Sequence, residues 1–433
     1  MFEFLITSVV IYAMIAEKFF FYILENSYAS TILGKLNIVL LVTMIVVGTV
    51  FFLQEFKAKI KNKGRINKKI DLLTLSTLFM TLIAVCGSFY LNINKISLHW
   101  DAIALYDARA LFLDSGMKFS EMTKFAEYDN LNKYYYLLYP PYTSIAHYFW
   151  SNSFLFQWGT VSTYYSIVFM TLISLLFFLS RKELGSFIAS IFIMLVATNS
   201  SIFNIVIKEY TNLPFVLYLC GGIFLLYRFF KTGEKWAYIF GLFLISTSMW
   251  IRLLEPIWLA ILTSFIITII MSKKIEKKIY YILVFVFVLM VEYLSWIYFT
   301  KVISNNPGFV ELNVINIIDP ILGIFTGSLF KVIPVIFTSW GIPSILHLST
   351  IALLLVRWKQ TKEDLPLVFL GLVEVSSLLI YLGEFYMISF QYDWWSIVTM
   401  SLDRSSTFMI PVSIFILLRI FVLDHGYKKN LSN

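Results

Sequence analysis

Long apolar runs alternate along this chain with short polar intervals, and one polar interval is far longer than the rest. A helix needs about 20 apolar residues to cross the hydrocarbon layer of a membrane. Runs of that kind fall near 3–24, 36–53, 72–91, 160–179, 185–203, 212–230, 236–250, 257–271, 279–299, 332–356, 365–383 and 405–423. The pieces at 236–250 and 257–271 are short and are expected to extend into their shared turn at 251–256. Glu17 and Lys18 interrupt the first run, so an amphipathic helix lying in the interface is the alternative there. The pattern predicts an all-α polytopic membrane protein of about 12 transmembrane helices. It divides into 1–71, two spans and a basic loop; 72–300, a membrane module with the long polar interval; and 301–433, a second membrane module.

Composition agrees with the pattern. Hydrophobic residues make up 59% of the 433 and charged residues 14%, against about 25% charged in a typical soluble domain. No polar stretch is long enough for a sizeable soluble domain. The net charge of +8 sits in short loops and reads as membrane orientation rather than nucleic-acid binding. Most of the 34 lysines and arginines lie in loops 54–70, 180–184, 228–235, 272–278 and 357–364 and in the tail after 424; the sharpest is 54–70, with seven basic residues and one acidic. Such loops stay in the cytoplasm. Both termini are therefore expected inside the plasma membrane, and segments 25–35, 92–159, 204–211, 251–256, 300–331 and 384–404 outside. The N-terminus has no basic region followed by a small-residue cleavage site, so 1–24 is expected to be a retained helix. Cys86 and Cys220 lie in apolar runs, which argues against a disulfide framework or a Cys-rich metal site.

The long interval, 97–142, carries His99, Asp101, Asp107, Arg109, Asp114, Glu121, Glu127 and Asp129 and ends on a tyrosine-rich stretch with Pro140 and Pro141. Long loops are functional or disordered, and this one is too aromatic for disorder. Short interfacial helices are expected over 133–152. Asp101 is a candidate general base or metal ligand, and Asp107 a candidate for either; both are equally read as solvated carboxylates, with Asp101 capping a helix. Glu209, between Lys208 and Tyr210 on a very short outer loop, is either a site residue or half of a loop charge pair. Arg252 and Glu255 stand at i and i+3 between two apolar runs and are able to pair; interfacial snorkelling accounts for Arg252 as well. Arg404, at the mouth of the last span, suits phosphate through its guanidinium fork, with interface anchoring as the rival. Glu292 and Glu374 lie deeper in spans, where carboxylates mark transport paths. His147 and His347 lie in apolar surroundings and read as ordinary packing or interfacial residues. There is no P-loop, no HExxH and no nucleophile elbow.

Taken together, the run from His99-Trp100-Asp101 through Gly116, Tyr139-Pro140-Pro141-Tyr142, Lys208-Glu209-Tyr210, Arg252 with Glu255, and Ser401 to Pro411 resembles the GT-C membrane glycosyltransferases. The likeness is greatest to bacterial and archaeal relatives of the mannosyl- and aminoarabinose-transferase branch. The resemblance implies a GT-C-like bundle that transfers a sugar, with inversion, from a polyprenyl-phosphate donor to a lipid, glycan or protein acceptor on the extracytoplasmic face. By resemblance Asp101 is the loop aspartate, with Asp107 and Glu209 the other catalytic candidates. Arg252, Glu255, Arg404, Tyr139 and Trp394 would bind donor phosphate and substrate. No cofactor is required; a divalent cation, Mg or Mn, is compatible with outer-loop carboxylates. Two departures stand out: two spans precede the acidic loop, and Asp101 is followed by Ala102 where many relatives carry a second acid. The rival functions are a lipid-linked-sugar transporter or flippase and a surface-glycan polymerase or ligase.

Overall fold

A computed structural model describes residues 72–93, 102, 106–115, 117, 140, 142–153, 161–253, 256–298, 322–391 and 404–431. Every regular element among the described residues is helical. They fall into two compact units, taken here one at a time.

The first unit contains α1 (Leu72–Asn92), α2 (Ala108–Asp114), α3 (Tyr142–Ser153) and α4 (Ser162–Ala197), with the last residues of α5 (Ser200–Ile207) and the stretch up to Tyr210. α1 packs along α4, and α2 against α3. Polar pairs fix how α1 and α4 meet. Asn92 donates from its amide nitrogen to the Ser166 hydroxyl at 3.0 Å and to the Val206 carbonyl at 3.3 Å. Toward the other end, the Thr77 and Ser190 hydroxyls are 2.5 Å apart. Thr77 and Asn92 are separated by about 22 Å of helix, whereas a straight helix from Ser166 to Ser190 would run about 36 Å. The mismatch is resolved at Gly185, which has φ 78° and ψ 162° inside α4, a region that only glycine enters freely. A reversal there leaves about 21 Å between Ser166 and Ser190 along the axis, in agreement with α1. The two apolar runs at 160–179 and 185–203 are thus the two arms of a helical hairpin.

The second unit opens with α6 (Asn212–Thr232) and α7 (Lys235–Ile251). Gly233, left-handed at φ 74°, ends α6 with its N–H on the Phe229 carbonyl, a favoured glycine stop. Beside this turn Arg228 pairs with Glu234 at 2.8 Å and lies 4.7 Å over the Trp236 ring. The two helices approach closely because small residues face each other. A Cβ added to Gly222 would meet Ile245 Cγ1 at 2.5 Å and the Gly241 carbonyl at 3.0 Å. The apolar window of α6 is 94% buried, so it forms the centre of this unit.

α8 (Ile257–Met271), α9 (Lys278–Tyr298), α10 (Val332–Trp340), α11 (Ile342–Val356), α12 (Trp358–Thr361), α13 (Leu365–Gln391) and α14 (Met409–Leu431) complete the unit. α8 packs on α13, and α11 and α13 both pack on α14. A ladder of polar pairs shows that α13 and α14 run antiparallel. Tyr381 donates to the Ser405 carbonyl at 2.5 Å, Ser413 to Glu374 at 2.5 Å, and Arg419 to Asp364 at 3.2 Å. Descending one helix while ascending the other keeps the partners level, with about 10–12 Å between the first two rungs. Arg357 on Asp424 at 3.0 Å closes the same end as Arg419.

Five described helices are long and apolar enough to cross a membrane, or six if α10 and α11 count as one bent span. The chain is therefore a multi-span helical membrane protein. The expected spans at 3–24 and 36–53 lie outside the described residues, and α7 and α8 have only 17 and 15 residues. The expected span over 332–356 is broken in the middle: α10 and α11 meet at 112°. Gly341, at φ 56° and ψ −123°, makes the break, and Pro343 at the start of α11 fits a first helical turn.

Gly222→Leu is expected to force α6 and α7 apart and to cost about 1–3 kcal/mol, the usual penalty for overpacking, read as a lower midpoint of thermal unfolding in detergent. On α1, a Cβ at Gly87 meets nothing within 4 Å among the described residues, so Gly87→Ala should match or slightly exceed the parent. Equal losses at both positions would contradict the close crossing.

Candidate functional site

In the first unit a line of hydrogen bonds runs from a partly exposed carboxylate to a buried phenol. Asp107 immediately precedes α2, and its Oδ1 lies 2.8 Å from His147 Nδ1 on α3. The other ring nitrogen, Nε2, lies 2.9 Å from the Tyr165 hydroxyl on α4. His147 and Tyr165 are fully buried, whereas the Asp107 side chain keeps 22% of its surface. A phenol hydroxyl donates readily, so Nε2 accepts it and Nδ1 carries the hydrogen that points at Asp107. Three tyrosine rings stand edge-on to the imidazole, Tyr106 at 6.3 Å, Tyr164 at 5.9 Å and Tyr165 at 5.5 Å. They hold it in one orientation.

Glu209 belongs to the same unit. Its carboxylate is buried and accepts a hydrogen bond from Ser162, at the start of α4, at 2.7 Å. Its backbone has φ 57°, the one positive φ at a non-glycine residue among the described residues. Such conformations are costly and gather at functional sites. Glu209 and Asp107 both lie close enough to Tyr165 to act on it electrostatically. Arg109 is buried in the first turn of α2.

The second unit brings Arg252 and Arg404 to the end where α6 begins and α7 stops. Arg252 has left helical geometry (φ −145°, ψ 80°), and its Nη1 donates to Asn212 Oδ1 at 2.9 Å. The Asn212 amide nitrogen donates to the Arg404 carbonyl at 3.2 Å. One buried asparagine thus ties the Arg252 side chain to the main chain of Arg404, two residues singled out separately in the sequence. Nearby, the Trp250 indole donates to Glu292 of α9. Ser405 takes the Trp340 indole N–H on its hydroxyl at 3.2 Å and Tyr381 on its carbonyl.

A third cluster lies inside the second unit. His347 of α11, Glu374 of α13 and Ser413 of α14 are all buried. His347 Nδ1 is 2.7 Å from Glu374 Oε1 and 2.8 Å from Ser413 Oγ. The Trp340 ring stands edge-on to His347 at 5.6 Å.

Of the sequence-predicted site residues, Asp107 and Glu209 thus join one unit's polar cluster, and Arg252 and Arg404 the other's. Asp101, Tyr139, Glu255 and Trp394 lie outside the described residues. The Glu209 carboxylate accepts from Ser162 and is buried, whichever of its two expected roles it fills. The reading of His147 and His347 as packing residues is corrected, since each is hydrogen-bonded to a carboxylate. The available sequence signal was one ionisable residue inside an apolar run, which has to find a polar partner there. No group of three or more His, Cys, Asp or Glu among the described residues is placed to hold a metal ion; Asp107 with His147, and Glu374 with His347, are pairs.

A double-mutant cycle with Asp107→Asn and His147→Gln should return a coupling of about 1–3 kcal/mol in unfolding free energy, as for neighbours in one hydrogen-bond network. Additive effects would mean that the two side chains do not meet. Comparison with family models, with curated proteins and with solved structures finds no match, so the geometry and the sequence carry the functional argument.

Proposed function

We propose that the protein transfers a sugar from a polyprenyl-phosphate carrier to an acceptor hydroxyl on the extracytoplasmic side of the plasma membrane. It would do so as an inverting glycosyltransferase of GT-C type with about twelve spans. The observation that carries this is Asn212, which accepts from the Arg252 guanidinium and donates to the main-chain carbonyl of Arg404, so that both residues stand at one end of the unit. Guanidinium groups suit phosphate because their N–H fork matches its oxygens. A glycosyl phosphate needs charge stabilisation at its leaving group more than it needs an acid. Supporting it is Asp107, a partly exposed carboxylate oriented from behind by a buried histidine.

In the proposed step a carboxylate, Asp101 or Asp107, accepts the proton of the acceptor hydroxyl as that oxygen attacks the anomeric carbon. The bond from carbon to phosphate oxygen breaks on the opposite face, its electron pair leaves with the phosphate, and Arg252 and Arg404 stabilise the charge. Glu255 would orient the arginines or the acceptor and Glu209 the acceptor, and Tyr139 and Trp394 would contact sugar or prenyl surface. The acceptor is a lipid, glycan or protein. A donor already carried in the membrane needs no nucleotide site, in keeping with the missing P-loop and the small basic loops. One observation favours a second function, movement of a lipid-linked sugar across the membrane: the carboxylate and imidazole inside the second unit, since ionisable groups within spans mark transport paths.

The test is proteoliposomes supplied with polyprenyl-phosphate hexoses and pentoses, with release of polyprenyl phosphate and formation of a new glycosidic product as the readouts. Replacing the base, Asp101→Asn or Asp107→Asn, should slow transfer by about 100-fold or more. Arg252→Lys and Arg404→Lys should each weaken donor use by about 10- to 100-fold, the worth of a charge-assisted hydrogen bond. Normal turnover in both folded aspartate variants would remove the base. Movement of the donor between leaflets without any product would favour the transporter.

A further inference from the structure

The cluster inside the second unit has hydrogen-bonding capacity that its own members do not use. His347 Nδ1 faces Glu374 Oε1 at 2.7 Å, and Ser413 Oγ donates to the same oxygen at 2.5 Å. The ring's hydrogen and the hydroxyl hydrogen both converge on Oε1. Glu374 Oε2 and His347 Nε2 are buried and have no hydrogen-bond partner among the described residues. All three side chains are essentially sealed, at 1%, 0% and 0% exposure for His347, Glu374 and Ser413.

Counting charge makes the arrangement incomplete as drawn. A neutral imidazole beside an ionised carboxylate would place a net negative charge inside a membrane bundle. The effective penalty for burying an uncompensated charge is several kcal/mol. Among the described residues, the helices packed around the cluster present no cation to balance it. α6 presents the Cys220 thiol, whose Sγ donates to the Phe408 carbonyl. α10 presents the Trp340 ring. α13 presents Tyr381, on Ser405, and Glu384 ten residues further along. α11 presents His347 itself. On α14 the nearest cation is Arg419, engaged with Asp364. α8 meets α13 on another face, through Ser264 and Ser376 at 3.0 Å.

We propose that His347, Glu374 and Ser413 form a buried proton-binding site, whose ligand is one proton held jointly by the imidazole and the carboxylate. That proton makes the cluster neutral, and it has two seats, His347 Nε2 and Glu374 Oε2, the two atoms left without partners. The remaining hydrogen bonds are the same whichever seat is filled. Exchange of the proton follows a polar stripe along one face of α13. Glu374, Ser377 and Tyr381 lie at i, i+3 and i+7, the Ser377 hydroxyl is likewise buried without a partner, and Tyr381 reaches Ser405, next to Arg404. The site stands on its own observations, independent of sugar transfer.

The experiment uses the full chain in lipid nanodiscs with nitrogen-15 histidine. The chain has only 4 histidines, so the His347 signal is identified by its loss in His347→Gln. At neutral pH one of two signatures is expected. Either both ring nitrogens of His347 are protonated, or one is and an infrared carbonyl band of a protonated carboxyl is present that Glu374→Gln removes. If Glu374→Gln does not fold, Glu374→Asp shifts that band instead. Ser413→Ala removes a hydrogen bond but no charge, and should retain the shared proton. A neutral His347 ring in the wild-type chain with no protonated-carboxyl band from Glu374 overturns the proposal, whatever the outcome of the transfer assay.

Discussion

Inside a bundle that has lipid for solvent, a polar group has to find its partner within the bundle, and this requirement sets the register of the helices in both units. Apolar side chains cannot do it alone. A face of Leu, Ile and Phe packs against another in many registers, and lipid tails are as apolar as the helices they would replace. The described contacts are pinned instead at polar points. Asn92 and Thr77 fix α1 against the two arms of α4, and Tyr381, Glu374 and Asp364 fix α13 against α14. Backbone breaks do the rest, at Gly185, Gly233 and Gly341, each with a φ that a side chain would oppose.

Close packing then decides which helix is central. α6 is apolar all round and 94% buried over its membrane-length window, whereas the corresponding window of α9 is 11% buried. Their apolar character is similar, so position and not hydrophobicity separates them. The central helix carries Gly222 facing Gly241, and its far end packs aromatic rings, with Phe229 against Tyr238 at 5.2 Å and Phe230 against Phe265 at 5.3 Å. Small residues permit the approach and large rings fill the widening beyond it.

Much of this was legible in the sequence as the positions of apolar runs. The run 212–230 becomes Asn212–Thr232, 257–271 becomes Ile257–Met271, and the gap between 179 and 185 falls at the Gly185 reversal. The break at Gly341 was not, because apolar residues continue through it and hydropathy does not register a change of direction. Arg252 and Arg404 were legible singly as charges at span ends. Their meeting was not, because it runs through Asn212, 40 residues from one and 192 from the other. His147 and His347 were misread for the same reason: a lone histidine in an apolar run has no periodic signature, and its carboxylate lies 40 or 27 residues away. Pairing between distant helices is a property of packing, which a single sequence does not spell out.

The clusters differ in what they are built from, and that difference bears on what each is able to take. Arg252 follows the last turn of α7, Asn212 opens α6 and Arg404 precedes α14, so all three stand where the backbone is leaving or entering a helix. There Asn212 is hydrogen-bonded both to the Arg252 side chain and to the Arg404 main chain. Asp107 likewise immediately precedes a short helix and retains exposure. His347, Glu374 and Ser413 come from within three helices, α11, α13 and α14, where they are buried and their rotamers are fixed by packing. A sealed cluster of that kind leaves no room for a sugar or a lipid. The ligand that suits it is one that needs no volume, which is why the charge deficit at its centre points to a proton.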